Sequence, residues 1–316
     1  MSNQPTSQNI ALSVVIPLLN EELVVDELLR RLLESVRNVS EAFEIILVDD
    51  GSTDQTLTKL LLAQKNEKRI RVVQLSKNFG HQAAFTAGMT IAQGATIAML
   101  DGDLQDPPEL IKHLYEKLQS NNDLDVVYAK RNSKKETASR GILTKLFHRI
   151  FKKILRSESI DNVGNFAIFR SNVKEAMLSY AEKARYLPGI RVHVGFNQDS
   201  ILYDRDERFA GKTKMSLSKL FALSLDAIFS FSNFPIRLML IIGLGGLVIS
   251  FLGIIYILIS KISGVAPFGW SSTVMFILFF GSLQLAFMGI LGEYVHRIYK
   301  ESQNRPLFII KNIIQD

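Results

Sequence analysis

The sequence predicts an α/β protein: a doubly wound parallel sheet, then amphipathic interfacial helices and a two-helix transmembrane hairpin. Three patterns predict it. β-branched runs alternate with helix-length segments up to residue 120, which argues for parallel strands joined by crossover helices. Two amphipathic stretches lie beyond them at 143–156 and 216–232. Residues 238–260 and 262–292 then carry no charge, and about 20 apolar residues suffice to cross a hydrocarbon core.

The strand-like runs are "LSVVI", "FEIILVD", "IRVVQLS", "TIAML", "DVVYA" and "FAIF". In such sheets ligands bind beyond the carboxyl ends of the strands. The first four ends fall at 17–22, 49–54, 76–81 and 101–106; all are polar and three carry carboxylates. Between residues 130 and 156 there are ten Lys or Arg and one acid, Glu136. Leu143, Leu146, Phe147, Ile150, Phe151 and Ile154 recur there at helical spacing, as expected of a basic helix lying on an anionic lipid surface. The stretch at 216–232 puts Leu217, Leu220, Phe221, Leu225, Ile228 and Phe229 on one stripe.

The uncharged region breaks at "SGVAPFGWSS", so its two helices are expected at about 236–260 and 271–293. The organisation that follows is a flexible 1–10, an α/β domain at 11–215, a juxtamembrane helix at 216–233, the hairpin at 234–296 and a tail at 297–316. The start lacks the basic n-region of a signal peptide. Lys212, Lys214, Lys219 and Arg237 precede the hairpin, Arg297, Lys300 and Arg305 follow it, and only Lys261 marks its loop. By the positive-inside rule both termini are expected to be cytoplasmic. Small residues in the spans, Gly246, Ser250, Gly281, Gly289 and Gly292, suit packing of the hairpin on itself and homo-oligomer contacts equally.

Composition narrows the chemistry. Cysteine is absent, which excludes disulfides and Cys-ligated metals. No H-E-x-x-H spacing supports zinc, and no G-x-G-x-x-G follows the first strand. The net charge of +6 fits an anionic partner, whether lipid head group, phosphate substrate or nucleic acid.

Two strand ends carry the chemistry. In "VDDGSTDQT" Gly51 permits a tight turn and Ser52, Thr53 or Asp54 can cap a helix. Asp49 and Asp50 are left over, and adjacent carboxylates repel unless donors or a cation meet them. In "MLDGDLQDPPEL" Asp101 and Asp103 flank a glycine, with Gln105 placed to add a neutral oxygen. Two carboxylates so spaced can meet a hard divalent cation held on a diphosphate. An EF-hand is excluded, because the twelfth position from Asp101 is Lys112 rather than Glu. His81, in "NFGH", is expected to start a helix rather than to catalyse.

With "VVIPLLNEE", "ILVDDGSTDQT", "LSKNFGHQAAFTAG", "LDGDLQDPPELI" and "RDERFAGKTKMSLSKL", the chain resembles the family-2 glycosyltransferases of GT-A fold. Within them it is similar to the polyprenyl-phosphate branch, dolichol-phosphate mannose synthase and the bacterial GtrB type. The resemblance implies a catalytic domain that holds a nucleotide sugar through Pro17, Asn20, Glu21, Asp49, Asp50 and Asp101. It implies Mg²⁺ or Mn²⁺ at Asp101, Asp103 and Gln105, and phosphates of donor and acceptor facing Arg131, Arg208 and Lys214. The implied reaction is inverting transfer of a hexose, glucose from UDP-glucose first, to undecaprenyl or another polyprenyl phosphate at the bacterial inner membrane, with anionic lipid and no nucleic acid as partner. GDP-mannose or a UDP-amino sugar is the alternative donor.

A processive polysaccharide synthase would carry Gln-x-x-Arg-Trp, yet Trp270 is the only Trp and lies outside any such motif. A non-catalytic membrane adaptor would not need four convergent polar strand ends. One departure stands out: relatives read Asp-x-x-Gly-Asp-Phe where this chain has "DNVGNF", so Asn165 replaces a carboxylate while Asp161 remains as an orienting candidate.

Overall fold

The structure is a computed structural model describing residues 10–132, 163–183, 185–204 and 269–315, with scattered positions between 239 and 263. Three of the expected features lie outside the described residues: the basic helix at 143–156, the juxtamembrane helix at 216–233, and the flexible start to residue 9.

The α/β unit comprises residues 1–141, 157–213 and 305–316. Its strands are β1 (Leu12–Leu18), β2 (Phe43–Asp49), β3 (Ile70–Leu75), β4 (Thr96–Met99), β5 (Val126–Arg131), β6 (Val163–Arg170), β7 (Gln198–Tyr203) and β8 (Ile310–Ile314). Its helices are α1 (Val25–Arg37), α2 (Thr56–Asn66), α3 (His81–Ile91), α4 (Leu110–Ser120), α5 (Ser171–Ser179) and α6 (Leu187–His193). They form one sheet of eight strands in the order β7-β5-β6-β4-β1-β2-β3-β8.

The four strands β4, β1, β2 and β3 are mutually parallel neighbours, so their carboxyl ends emerge together. The expectation of a purely parallel sheet needs correction. β6 runs antiparallel to both β4 and β5, and β8 runs antiparallel to β3. Direction depends on how the connection returns to the sheet, which an apolar run such as "FAIF" does not encode. β7 and β8 escaped the sequence reading because "QDSILY" and "IKNII" mix polar with apolar residues. β8 comes from the stretch read as a tail; Asn312 Nδ2 donates to Gln74 Oε1 at 3.0 Å across a separation of 238 residues.

Alternation along β1 divides the core. Leu12, Val14, Ile16 and Leu18 pack with Leu28, Leu32, Leu114 and Leu118 from α1 and α4, while Val15 packs with Ala84, Ala87 and Met89 of α3 on the other face. Strands covered on both faces read as continuous apolar runs, and every residue of β1 and β2 is buried. The "QAAFTAGM" helix is small-residue-rich because it lies tight on the sheet: a Cβ at Gly88 would sit 2.3 Å from Val15 Cγ1.

The second unit comprises 142–156 and 214–304 and contains α7 (Trp270–Ser302), 33 residues long. Phe276, Ile277, Phe279, Leu285, Met288 and Leu291 are exposed on it. Among the described residues no helix is long and apolar enough to cross a membrane. The first expected span is described only at scattered positions, and the hairpin stays a reading of the sequence.

At the amino ends of the strands a buried charge holds three elements. Glu44 accepts Ser13 Oγ at 2.6 Å and Gln93 N at 2.7 Å, and Arg71 Nη1 lies 2.8 Å from its second oxygen. Removing one partner of a buried pair leaves an uncompensated charge. Arg71→Met is therefore expected to cost about 3 kcal/mol, visible as a lowered Tm of the full chain; an unchanged Tm would contradict a structural role for this cluster.

Candidate active site

The motif loops at the carboxyl ends of β1 to β4 meet, and backbone demands explain most of their polar residues. After β1 the chain turns through Asn20, whose φ of 54° is left-handed, a conformation Asn tolerates better than most residues. Asn20 Oδ1 accepts Thr53 N at 2.8 Å, and Asn20 N donates to Ser52 Oγ at 3.1 Å. Glu21 N donates to Thr56 Oγ1 at 2.9 Å, Glu22 N to Asp54 Oδ2 at 3.3 Å, and Gln55 N to Glu22 Oε2 at 2.9 Å. Asp54 Oδ1 also takes Thr56 N at 2.9 Å at the start of α2. The β1 and β2 loops are thus stitched by reciprocal bonds, and Pro17 is the penultimate residue of β1, paired with Val48.

The paired carboxylates find donors within the protein. Asp49 Oδ1 accepts Ser52 N at 3.2 Å. Asp50, buried, accepts Phe79 N at 2.8 Å on one oxygen and Gly80 N at 3.0 Å on the other. Burial pushes the Asp50 carboxyl up, and the two amides work against that while Asp49 adds to it. Gly51 completes the junction: its φ is 76°, and a Cβ there would come within 2.7 Å of the Lys77–Asn78 peptide. Only glycine fits both constraints. Asp50 therefore grips the β3–α3 loop, and through it the start of α3.

Asp101 and Asp103 follow β4. Asp101 Oδ1 lies 3.2 Å from His81 Nε2 and 3.4 Å from Asn165 Nδ2, its donor on β6. Burial pushes Asp101 up, but the His81 bond and charge, the Asn165 bond and the Arg131 charge outweigh it, and its pKa is lowered. Burial pushes His81 down, and Asp101 first, then Asp103 and Asp50, reverse this so that its pKa is raised. Asp103 Oδ1 accepts Gln105 N at 3.1 Å. His81 does start α3, as its position suggested, but it also faces the carboxylate; a histidine one loop away carries no signal of this in sequence.

A second cluster holds Arg131 through two partners that the sequence reading did not single out. Tyr203 Oη donates to the fully buried Asp106 and accepts Arg131 Nε at 3.3 Å, while Arg131 Nη2 lies 3.7 Å from Asp106 Oδ2. Burial and then the Asp106 charge push the Tyr203 phenol well above its ordinary range. Asp106 and Tyr203 thus fix Arg131, whose charge is felt at Asp101. Arg208, Lys214 and Asp161 lie outside the described residues.

A model of glycosyl transferase family 2 matches residues 13–178. The chain belongs to that family. It is 38% identical to an uncharacterized glycosyltransferase of Synechocystis over 96% of each chain. It is 36% identical to the bactoprenol glucosyl transferase of Shigella phage SfV, over 95% of this chain and 98% of that one. Glucosyl-3-phosphoglycerate synthase of Mycobacterium tuberculosis, solved with phosphoglyceric acid, aligns at a TM-score of 0.50 and 18% identity, covering 70% of this chain and 78% of that one. That similarity identifies the GT-A fold. This family-2 chain is a glycosyltransferase.

The donor set can be tested against a divalent cation. Among the described residues no group of three or more His, Cys, Asp or Glu side chains could hold one. A hard cation bound mainly by substrate phosphates needs only one or two carboxylates. Asp101 has a lowered pKa, both its protein donors converge on Oδ1, and Oδ2 has no partner among the described residues. The residues fit such a group.

The His81–Asp101 pair sets a pH window. The raised His81 contributes fully below the ordinary histidine value of about 6.5, and that contribution is lost as pH rises through the raised value. The lowered Asp101 contributes above about 3.9 and loses that as pH falls through the lowered value. In chelator, the Tm difference between wild type and His81→Leu is expected to be greatest between about pH 4 and 6.5 and to shrink at alkaline pH. A difference independent of pH would contradict the pairing.

Proposed function

We propose that the chain transfers a hexose, glucose from UDP-glucose first, to a membrane polyprenyl phosphate such as undecaprenyl phosphate. The observation that carries this is the meeting of the β1, β2 and β4 loops, with Asp49, Asp50, Asp101 and Asp103 on them, in a chain alike over nearly its whole length to bactoprenol glucosyl transferases. Glucosyl-3-phosphoglycerate synthase, of the same fold, has been solved with Mn²⁺ and UDP, which supports a nucleotide-diphosphate donor and a divalent cation.

The step is one displacement. An acceptor phosphate oxygen forms the bond to the anomeric carbon, the bond from that carbon to the diphosphate breaks, and its electron pair leaves with UDP. The anomeric centre inverts. Asp101 and Asp103, with Gln105, would hold Mg²⁺ or Mn²⁺, whose chemistry is neutralisation of the diphosphate as it departs. Pro17, Asn20, Glu21, Asp49 and Asp50 shape the wall against which base and ribose lie. Arg131, braced by Asp106 and Tyr203, supplies fixed positive charge, and Arg208 and Lys214 are the further basic residues that the resemblance assigns to the phosphates. A phosphate monoester has its second pKa near ~6, so the acceptor arrives ionised and positioning with charge neutralisation carries the rate.

The acceptor is a lipid, so the reading includes the membrane hairpin at 234–296, the bacterial inner membrane, anionic lipid contacts, and a cytoplasmic catalytic domain and termini. The charge-free stretches, the flanking Lys and Arg, and the exposed Phe276, Ile277, Phe279 and Leu285 on α7 support it. The spans could also join copies of the chain through their small residues.

The test is transfer of label from a panel of UDP- and GDP-sugars to undecaprenyl phosphate by the full chain in vesicles with Mg²⁺ or Mn²⁺. Label from UDP-glucose is expected in the lipid, reduced roughly 100-fold or more in Asp103→Asn. Label from GDP-mannose or a UDP-amino sugar instead would replace the donor. No lipid label from any donor, with the protein folded and inserted, would overturn the reading.

A further inference from the structure

Behind Asp101 runs a chain of amides whose directions are all determined by one backbone group. Leu187 N, at the start of α6, donates to Gln82 Oε1 at 2.9 Å. A backbone N–H can only donate, so the Gln82 oxygen must face it. The Gln82 amide nitrogen is thereby turned the other way, and Nε2 donates to Asn165 Oδ1 at 3.1 Å. Asn165 must then present its own nitrogen to the far side, where Nδ2 meets Asp101 Oδ1 at 3.4 Å. The strand that carries Asn165 is itself held: Arg191, fully buried, reaches Gly164 O with Nη2 at 3.5 Å and lies 5.2 Å over the Tyr128 ring.

We propose that Gln82 and Asn165 form an amide relay that holds the Asp101 carboxylate by Oδ1 and leaves Oδ2 for the donor's cation and diphosphate, making both of them positioning residues. An amide at 165 can do this and a carboxylate cannot. A carboxylate there would accept from Gln82 but could not donate to Asp101, and would set a second negative charge against it. The inference rests on the reading of Asp101 as part of the cation and diphosphate site.

The relay predicts that a residue out of contact with Asp101 governs cation binding. Mn²⁺ binding to the full chain in the presence of UDP would be measured by the spin-resonance signal of free Mn²⁺, for wild type, Asn165→Leu, Gln82→Leu and the double variant. Each single substitution is expected to weaken binding by roughly tenfold, the scale of one hydrogen bond to a charged group. The double variant is expected to be no weaker than Asn165→Leu alone, because both substitutions break one chain. If Gln82→Leu does not fold, Gln82→Glu replaces it. That side chain still accepts Leu187 N but cannot donate to Asn165, so binding should weaken despite the added negative charge.

Additive losses, or wild-type binding in the Gln82 variants, would overturn the relay while leaving the site reading intact. Wild type that binds no Mn²⁺ with UDP would take down both.

Discussion

The site depends first on the buried carboxylate of Asp50. Its two oxygens are both taken by backbone amides of Phe79 and Gly80, and hydrogen bonds to an ionised acceptor are roughly twice as strong as neutral ones. The β3–α3 loop is thereby tied to the end of β2. His81 follows Gly80 directly, so the same clamp determines where the imidazole stands relative to Asp101. Gly51 lets the Lys77–Asn78 peptide come close enough for the clamp to form. Without these contacts the loops after β2, β3 and β4 would share an edge of the sheet but not a geometry.

Around Asp101 the charges are balanced in layers. His81 and Asn165 meet one oxygen directly, and Arg131 acts from further away. Arg131 is in turn neutralised by Asp106, which Tyr203 bridges. A bare arginine so near the carboxylates would compete with a cation for Asp101; one already paired with Asp106 contributes field without displacing it. Asp106 is fully buried, where an ionised carboxylate persists only with partners of this kind.

The alternation of strands and helices was legible because covered strands must be apolar throughout and their crossover helices amphipathic. The convergence of four strand ends followed from parallelism alone. Strand direction at β6 and the pairing of β7 and β8 were not legible, since they arise from long connections and half-polar sequences. In the site, the sequence exposed carboxylates crowded together at strand ends: Asp49 with Asp50, and Asp101 with Asp103. The structure divides them, giving Asp50 a bracing task that resemblance alone assigned to the nucleotide. Gln82 and Tyr203 were invisible for the opposite reason, being ordinary residues of a helix and a strand whose significance comes only from what lies across the sheet.

Asn165 shows why an amide serves beside Asp101. A general base is needed where the nucleophile must lose a proton during attack, and its benefit scales with how poorly ionised the nucleophile is. Under the proposed reaction the nucleophile is a phosphate monoester, largely ionised at neutral pH. A carboxylate at 165 would repel Asp101. An amide there avoids that repulsion and adds a donor, provided something prevents it from turning its oxygen toward Asp101. Gln82, held by Leu187 N, is that constraint. An amide so held suits the proposed displacement by an already charged acceptor, which needs no base at this position.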